Sequence, residues 1–163
     1  ELGIFRRFRA SGFSALTVLA SQVAVSLAMS LVGGALVVLA AGLAYGVRTP
    51  ERPGGVIAVF VLVALVFSAV GLALGAVPPT ARAAQGAGIL LFFVMLLLSG
   101  AGPPPEVMGP AMQRIADLLP LTHAIRLLQD PWLGFAWTGT AFAALVGFLV
   151  VSAVLAIRIL WWE

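Results

Sequence analysis

Residues 53–81 read PGGVIAVFVLVALVFSAVGLALGAVPPTA, without one charged side chain. A helix needs about 18–20 apolar residues to cross a hydrocarbon layer about 30 Å thick, and this run exceeds that. Working outward, residues 10–47, 83–105 and 131–157 are equally free of charge and equally long enough. The pattern predicts four spans, near 16–44, 56–77, 84–99 with a few residues either side, and 138–160. Inside lipid every backbone donor needs an internal partner, and barrel strands would alternate polar with apolar residues, which these runs do not. The spans are therefore helices. The first run is longer than a perpendicular crossing requires, so its helix must tilt, extend past the headgroups, or break near Gly33 and Gly34.

Composition supports the same solvent. The chain is 62% hydrophobic and 9% charged, with a mean hydropathy of +1.15, whereas soluble domains carry roughly 25% charged residues. Too little polar sequence exists to cover an aqueous surface. Cysteine is absent and His123 is the sole histidine, which removes disulfides and thiolate metal sites and argues against a protein-only zinc or haem site. All nine basic residues are arginine, a composition that points to a GC-rich bacterial genome. The pI near 11 does not imply nucleic acid, because the arginines are scattered between apolar runs rather than gathered in a patch. No cleavable signal peptide is read after the basic opening, and the start at Glu1 suggests an incomplete N-terminus.

Basic loops stay on the cytoplasmic side. With residues 1–8 inside, that side holds Arg6, Arg7, Arg9, Arg82 and Arg158, and the outside holds Arg48, Arg52, Arg114 and Arg126. Glu51, Glu106, Asp117 and Asp130 are placed to neutralise the outer set. Tyr45, Trp132 and Trp137 would mark the outer interface, with Trp161 and Trp162 at the inner one.

Residues 1–9 read as a short amphipathic helix along the inner surface: Leu2, Phe5 and Phe8 recur at three-residue spacing, and Arg6, Arg7 and Arg9 project elsewhere. A basic flank that only fixes topology would look the same. Towards the other end, Ser99-Gly100-Ala101-Gly102 followed by Pro103, Pro104 and Pro105 cannot continue a helix. Beyond it Pro110 suits a first helical turn. Met112, Ile115, Ala116 and Leu119 then form an apolar face, and Gln113, Arg114 and Asp117 the opposite one. Pro120 is expected to stop that helix, and 121–129 to begin a second. Both are too short to cross, so they should dip into or lie along the outer leaflet.

Chemistry is conspicuous by what the motifs exclude. A P-loop ends in Gly-Lys-Ser or Gly-Lys-Thr, and the chain has no lysine. No Gly-x-Ser-x-Gly elbow, zinc-protease helix or paired intramembrane carboxylates occur, which disfavours an enzyme. The spans also lack the buried ionisable groups of proton-coupled carriers. Gln22, Ser26, Ser30 and Gly34 fall four residues apart and make one polar, small-residue stripe on the first span. It suits either a substrate route or close helix packing. Gly71 with Gly75, and Gly139 with Ala143 and Gly147, read as packing seams, and His123 as an interfacial histidine satisfied by a partner.

The order of these features resembles the permease subunits of type-2 ABC transporters, closest to the bacterial drug-exporter branch. Glu1, Gly3, Arg6, Arg7, Arg9 and Ala10 before a long span are similar to that family's coupling helix and third membrane helix. Leu98-Ser99-Gly100, Pro103-Pro104-Pro105-Glu106, Met112, Ala116 and Leu119-Pro120-Leu121-Thr122-His123-Ala124-Ile125-Arg126 resemble the end of its fifth helix and its external re-entrant pair. Two spans that normally precede these are not in the sequence.

The resemblance implies an all-α integral membrane protein of the bacterial inner membrane. It would have a cytoplasmic coupling helix over 1–12 and a transmembrane domain over 13–163, with an external helical segment at 103–130. It further implies a partner P-loop ATPase that holds the ATP and magnesium, a second permease copy or sister permease, and a hydrophobic or amphipathic cargo. Phe5, Arg6, Arg7 and Arg9 would meet the ATPase, and Gln22, Ser26 and Ser30 would line the pathway. A non-transporting membrane scaffold, or less readily an ion-coupled carrier, remains the competing reading.

Overall fold

The computed structural model describes residues 15–104 and 107–161. Six helices follow one another: α1 (Ala15–Tyr45), α2 (Pro53–Ala76), α3 (Ala81–Leu98), α4 (Pro110–Ala116), α5 (Pro120–Leu133) and α6 (Gly139–Trp161). Four of them, α1, α2, α3 and α6, are long and apolar enough to cross a bilayer, as the uncharged runs predict. No strand occurs among the described residues.

Helix ends follow the local chemistry. Pro53, Pro110 and Pro120 each open a helix, where a missing N–H costs nothing because first-turn donors have no intrahelical acceptor. Thr80 caps α3 by accepting from the Ala83 amide at 3.2 Å. α1 ends at Gly46, whose φ of 62° lets Val47 N–H reach back to Ala41 C=O at 3.4 Å.

Two expectations need correction. α1 runs unbroken through Gly33 and Gly34 for 31 residues, roughly 46 Å at 1.5 Å per residue, so tilt or extension past the headgroups absorbs the excess length. Pro120 does not stop α4. That helix has already ended at Ala116, and Pro120 starts α5, which continues through the internal Pro131 to Leu133.

The loop 46–52 and the end of α5 lie together. Glu51 N–H donates to Trp132 C=O at 3.2 Å and Arg52 N–H to Pro131 C=O at 3.0 Å. These are carbonyls of the last turn of α5, which have no acceptor role within their own helix. α2 and α6 consequently start at the same end of the bundle and run parallel, joined through α3, α4 and α5. The core forms where they meet: Val59 and Val66 of α2, Ala124 and Leu127 of α5, Ala141 and Leu145 of α6. Because Val59 and Leu145 stand in the second turn of their helices, α5 lies alongside the first turns of both rather than above them.

Burial is uneven. α1 has no buried residue among those described and packs chiefly against α2; α3 buries Met95 alone. Thus α2, α5 and α6 form a frame, with α1 and α3 on its flanks. The small-residue seams expected to pack do not pack within the chain: a Cβ added at Gly71, Gly75, Gly139 or Gly147 would meet nothing within 4 Å.

Candidate functional site

α1 and α2 cross closely at one point. A Cβ built on Gly34 would stand 2.9 Å from Cζ of Phe60 and 3.2 Å from Cε2, so the aromatic ring sits directly on the glycine backbone. Away from this contact the helices leave a cleft of about 460 Å³, lined by Gln22, Val23, Ser26 and Ser30 of α1 and by Ala64, Phe67, Ser68, Gly71 and Leu72 of α2.

The lining is built from two rows at helical four-residue spacing. On α1 the row is Gln22, Ser26, Ser30 and Gly34; on α2 it is Phe60, Ala64, Ser68 and Leu72. Small side chains in the middle of each row keep the helices apart from contact, and Phe60 closes the cleft one turn beyond Ser30 and Ala64. The open end is the one nearer the α2–α3 connection at 77–80. No ionisable side chain lines it.

All three pathway residues read from the sequence, Gln22, Ser26 and Ser30, are brought together here. Sequence reasoning missed Ser68. The available signal was that Ser68 is the one polar side chain between Arg52 and Thr80, in a run otherwise composed to be ignored by water. Phe5, Arg6, Arg7 and Arg9 lie outside the described residues.

At the opposite end, α4 and α5 are latched by side chains. Thr122 Oγ1 donates to Ala116 C=O at 2.6 Å, His123 Nε2 lies 2.9 Å from Asp117 C=O, and Arg126 pairs with the Asp117 carboxylate at 2.8 Å. Three residues of one turn and a half of α5 thereby occupy the orphan carbonyls and the charge at the end of α4. His123 has the partner expected of it, and its ring lies 6.5 Å from that of Phe148. The apolar face expected on α4 is only partly covered: Ala116 is buried, whereas Met112 and Ile115 are half exposed.

The acids do not simply neutralise the nearest arginines. Asp130, buried in the α5 end, accepts from the Thr138 amide at 2.7 Å and so caps α6. Arg52 reaches the Phe135 carbonyl at 3.5 Å. Gly134, in the left-handed region with φ of 82°, lets Phe135 N–H return to Asp130 C=O at 2.7 Å.

Comparison with known proteins adds two findings. The family model described as ABC-2 type transporter matches residues 1–133. Nodulation protein J of Neorhizobium galegae is 34% identical over 108 residues, which cover 64% of this chain and 39% of that protein. The chain therefore matches about two-fifths of the length of this relative.

Proposed function

The chain belongs to the ABC-2 type transporter family, and from that premise we propose that it is the permease subunit of an exporter that moves a hydrophobic or amphipathic substrate with ATP hydrolysed by a separate subunit. It is a multi-pass membrane protein, and its bacterial relative agrees with a plasma-membrane location. The family match over residues 1–133 is the observation that carries the reading.

In the proposed mechanism two permeases, identical or sister, dock on two P-loop ATPases that hold the ATP and magnesium. The seams at Gly71 with Gly75 and at Gly139 with Gly147, open within the chain, favour a helix partner of this kind. Closure of the ATPases around nucleotide would press on residues 1–9 through Phe5, Arg6, Arg7 and Arg9. The free energy comes from the tighter binding of nucleotide to the closed state, since a ligand shifts an equilibrium only by its differential affinity. Motion of α1, the helix least tied to the frame, would widen the Gln22–Ser26–Ser30 cleft and pass the substrate outward. The position of α5 beside the first turns of α2 and α6 supports the re-entrant reading of α4 and α5.

Purified chain alone is expected to hydrolyse no ATP, with turnover and transport appearing when a P-loop ATPase partner is added. Robust hydrolysis by the isolated polypeptide would overturn the reading. Reversing charge at Arg6 and Arg7, with Arg9, Arg82 and Arg158 kept to hold topology, should weaken the ATPase complex about tenfold, because close interfacial charge pairs couple by about 1.5 kcal/mol or more. Phe5→Ala tests the aromatic anchor of the same contact. Both are scored as co-purification normalised to correctly inserted protein.

A further inference from the structure

The cleft between α1 and α2 combines features that together specify a ligand. Four polar side chains face it, Gln22, Ser26 and Ser30 from one helix and Ser68 from the other. Among the described residues none of the four makes a hydrogen bond within the chain. The remaining walls are Val23, Ala64, Phe67, Gly71 and Leu72.

We infer that this cleft takes the neutral, hydrogen-bonding head of an amphipathic molecule whose hydrocarbon tail stays in the surrounding bilayer; the inference rests on the pathway reading above. The polarity of the lining sets the class. One primary amide and three hydroxyls offer both donors and acceptors, so a head with hydroxyls or amides can pair with them, whereas an alkane leaves them unpaired in an apolar medium. A charged head gains nothing comparable, because no opposite charge lines the cleft and a desolvated ion without a partner is disfavoured.

Shape argues for a small molecule over another helix. The groove does not run the length of the bundle, since Phe60 seated on Gly34 closes it one turn beyond Ser30. Its volume of about 460 Å³ falls within the range of about 300–1,000 Å³ usual for small-molecule sites. Access is sideways: both walls come from α1 and α2, α1 packs chiefly on α2, and no helix of this chain lines the remaining side. A tail can therefore stay among lipids while the head enters.

The test uses the protein in nanodiscs with three photoreactive probes that share one acyl chain carrying a diazirine next to the head. One is an N-acyl ethanolamide, one ends in a carboxylate and one in a trimethylammonium group. The neutral probe is expected to label peptides containing 22–30 and 64–72, with each charged probe below one-tenth of that yield. The pair of substitutions Gln22→Leu and Ser68→Ala should cut neutral labelling at least fivefold without changing recovery of folded protein.

Equal labelling by the charged probes would overturn the head-group assignment. Absence of labelling on both helices by all three would overturn the site and assign the cleft to helix packing. A separate arm judges the route itself: Ser26→Cys, modified with a bulky maleimide, is assayed for ATP-dependent transfer of the neutral probe between leaflets in proteoliposomes with the ATPase partner. Blocked transfer together with indiscriminate labelling would leave the route standing and the class refuted. Unimpeded transfer together with selective labelling would leave the class standing and the route refuted.

Discussion

At the scale of single residues, much of the order at the α4–α5 end depends on backbone groups that have no partner in their own helix. Thr122 is buried and its hydroxyl sits 2.6 Å from the Ala116 carbonyl. Thr122→Val keeps the shape and removes the donor, leaving a buried acceptor unpaired, so a loss of about 1–3 kcal/mol is expected. Thr122→Ser should recover most of it, and reversible unfolding in detergent measures both. Gly134 makes a different demand. Its φ of 82° is a left-handed conformation, and a Cβ there would collide with the Glu51 carboxylate. Gly134→Ala should cost about 1–2 kcal/mol from conformation alone, plus displacement of Glu51. Adding Glu51→Ala should relieve the second part only, so the double variant is expected to lie between Gly134→Ala and the parent in stability.

At the scale of elements, the spans were legible because a bilayer leaves length and charge almost nothing else to encode: the uncharged runs and the helices agree to within a few residues. The short helices were read less well. Pro120 is compatible with ending one helix or opening the next, and the choice went to opening because Thr122, His123 and Arg126 must follow it on α5 to reach the end of α4. Asp130 as the cap of α6 lies in the tertiary turn at Gly134, which no periodicity announces. The polar stripe on α1 was visible at its four-residue spacing, whereas Ser68 became meaningful only when α2 was set beside it. The closure at Phe60 gives a prediction for this pair of helices. Single cysteines at Gln22, Ser26 and Ser30 should react with a small charged thiol reagent added from the Arg82 side, and one at Val38, the next position of the same row, should not. Phe60→Ala should raise the rate at Val38 at least tenfold, because an ionised thiol requires water. An unchanged rate would mean that the ring does not close the cleft.

At the scale of the whole molecule, the backbone pairing of 51–52 with 131–132 fixes which connections share a side, and the arginine distribution supplies the absolute direction. Cysteines placed at Glu51 and at Gln129 should both be labelled by an impermeant reagent from outside the cell, and one at Arg82 only from the cytoplasm. Labelling of the Glu51 position from the cytoplasmic side alone would invert the topology. The parallel packing of α2 on α6 carries a further consequence, for the order in which the protein is made. At about 5–20 residues per second, α2 emerges from the ribosome several seconds before its principal neighbour exists. Val59 and Val66 must pass that interval facing lipid tails, which are as apolar as the residues that later replace them, so the delay carries little thermodynamic penalty. A nascent chain arrested before Gly139 would hold three inserted helices and half a core, and the last helix to be synthesised would be the one that completes the fold.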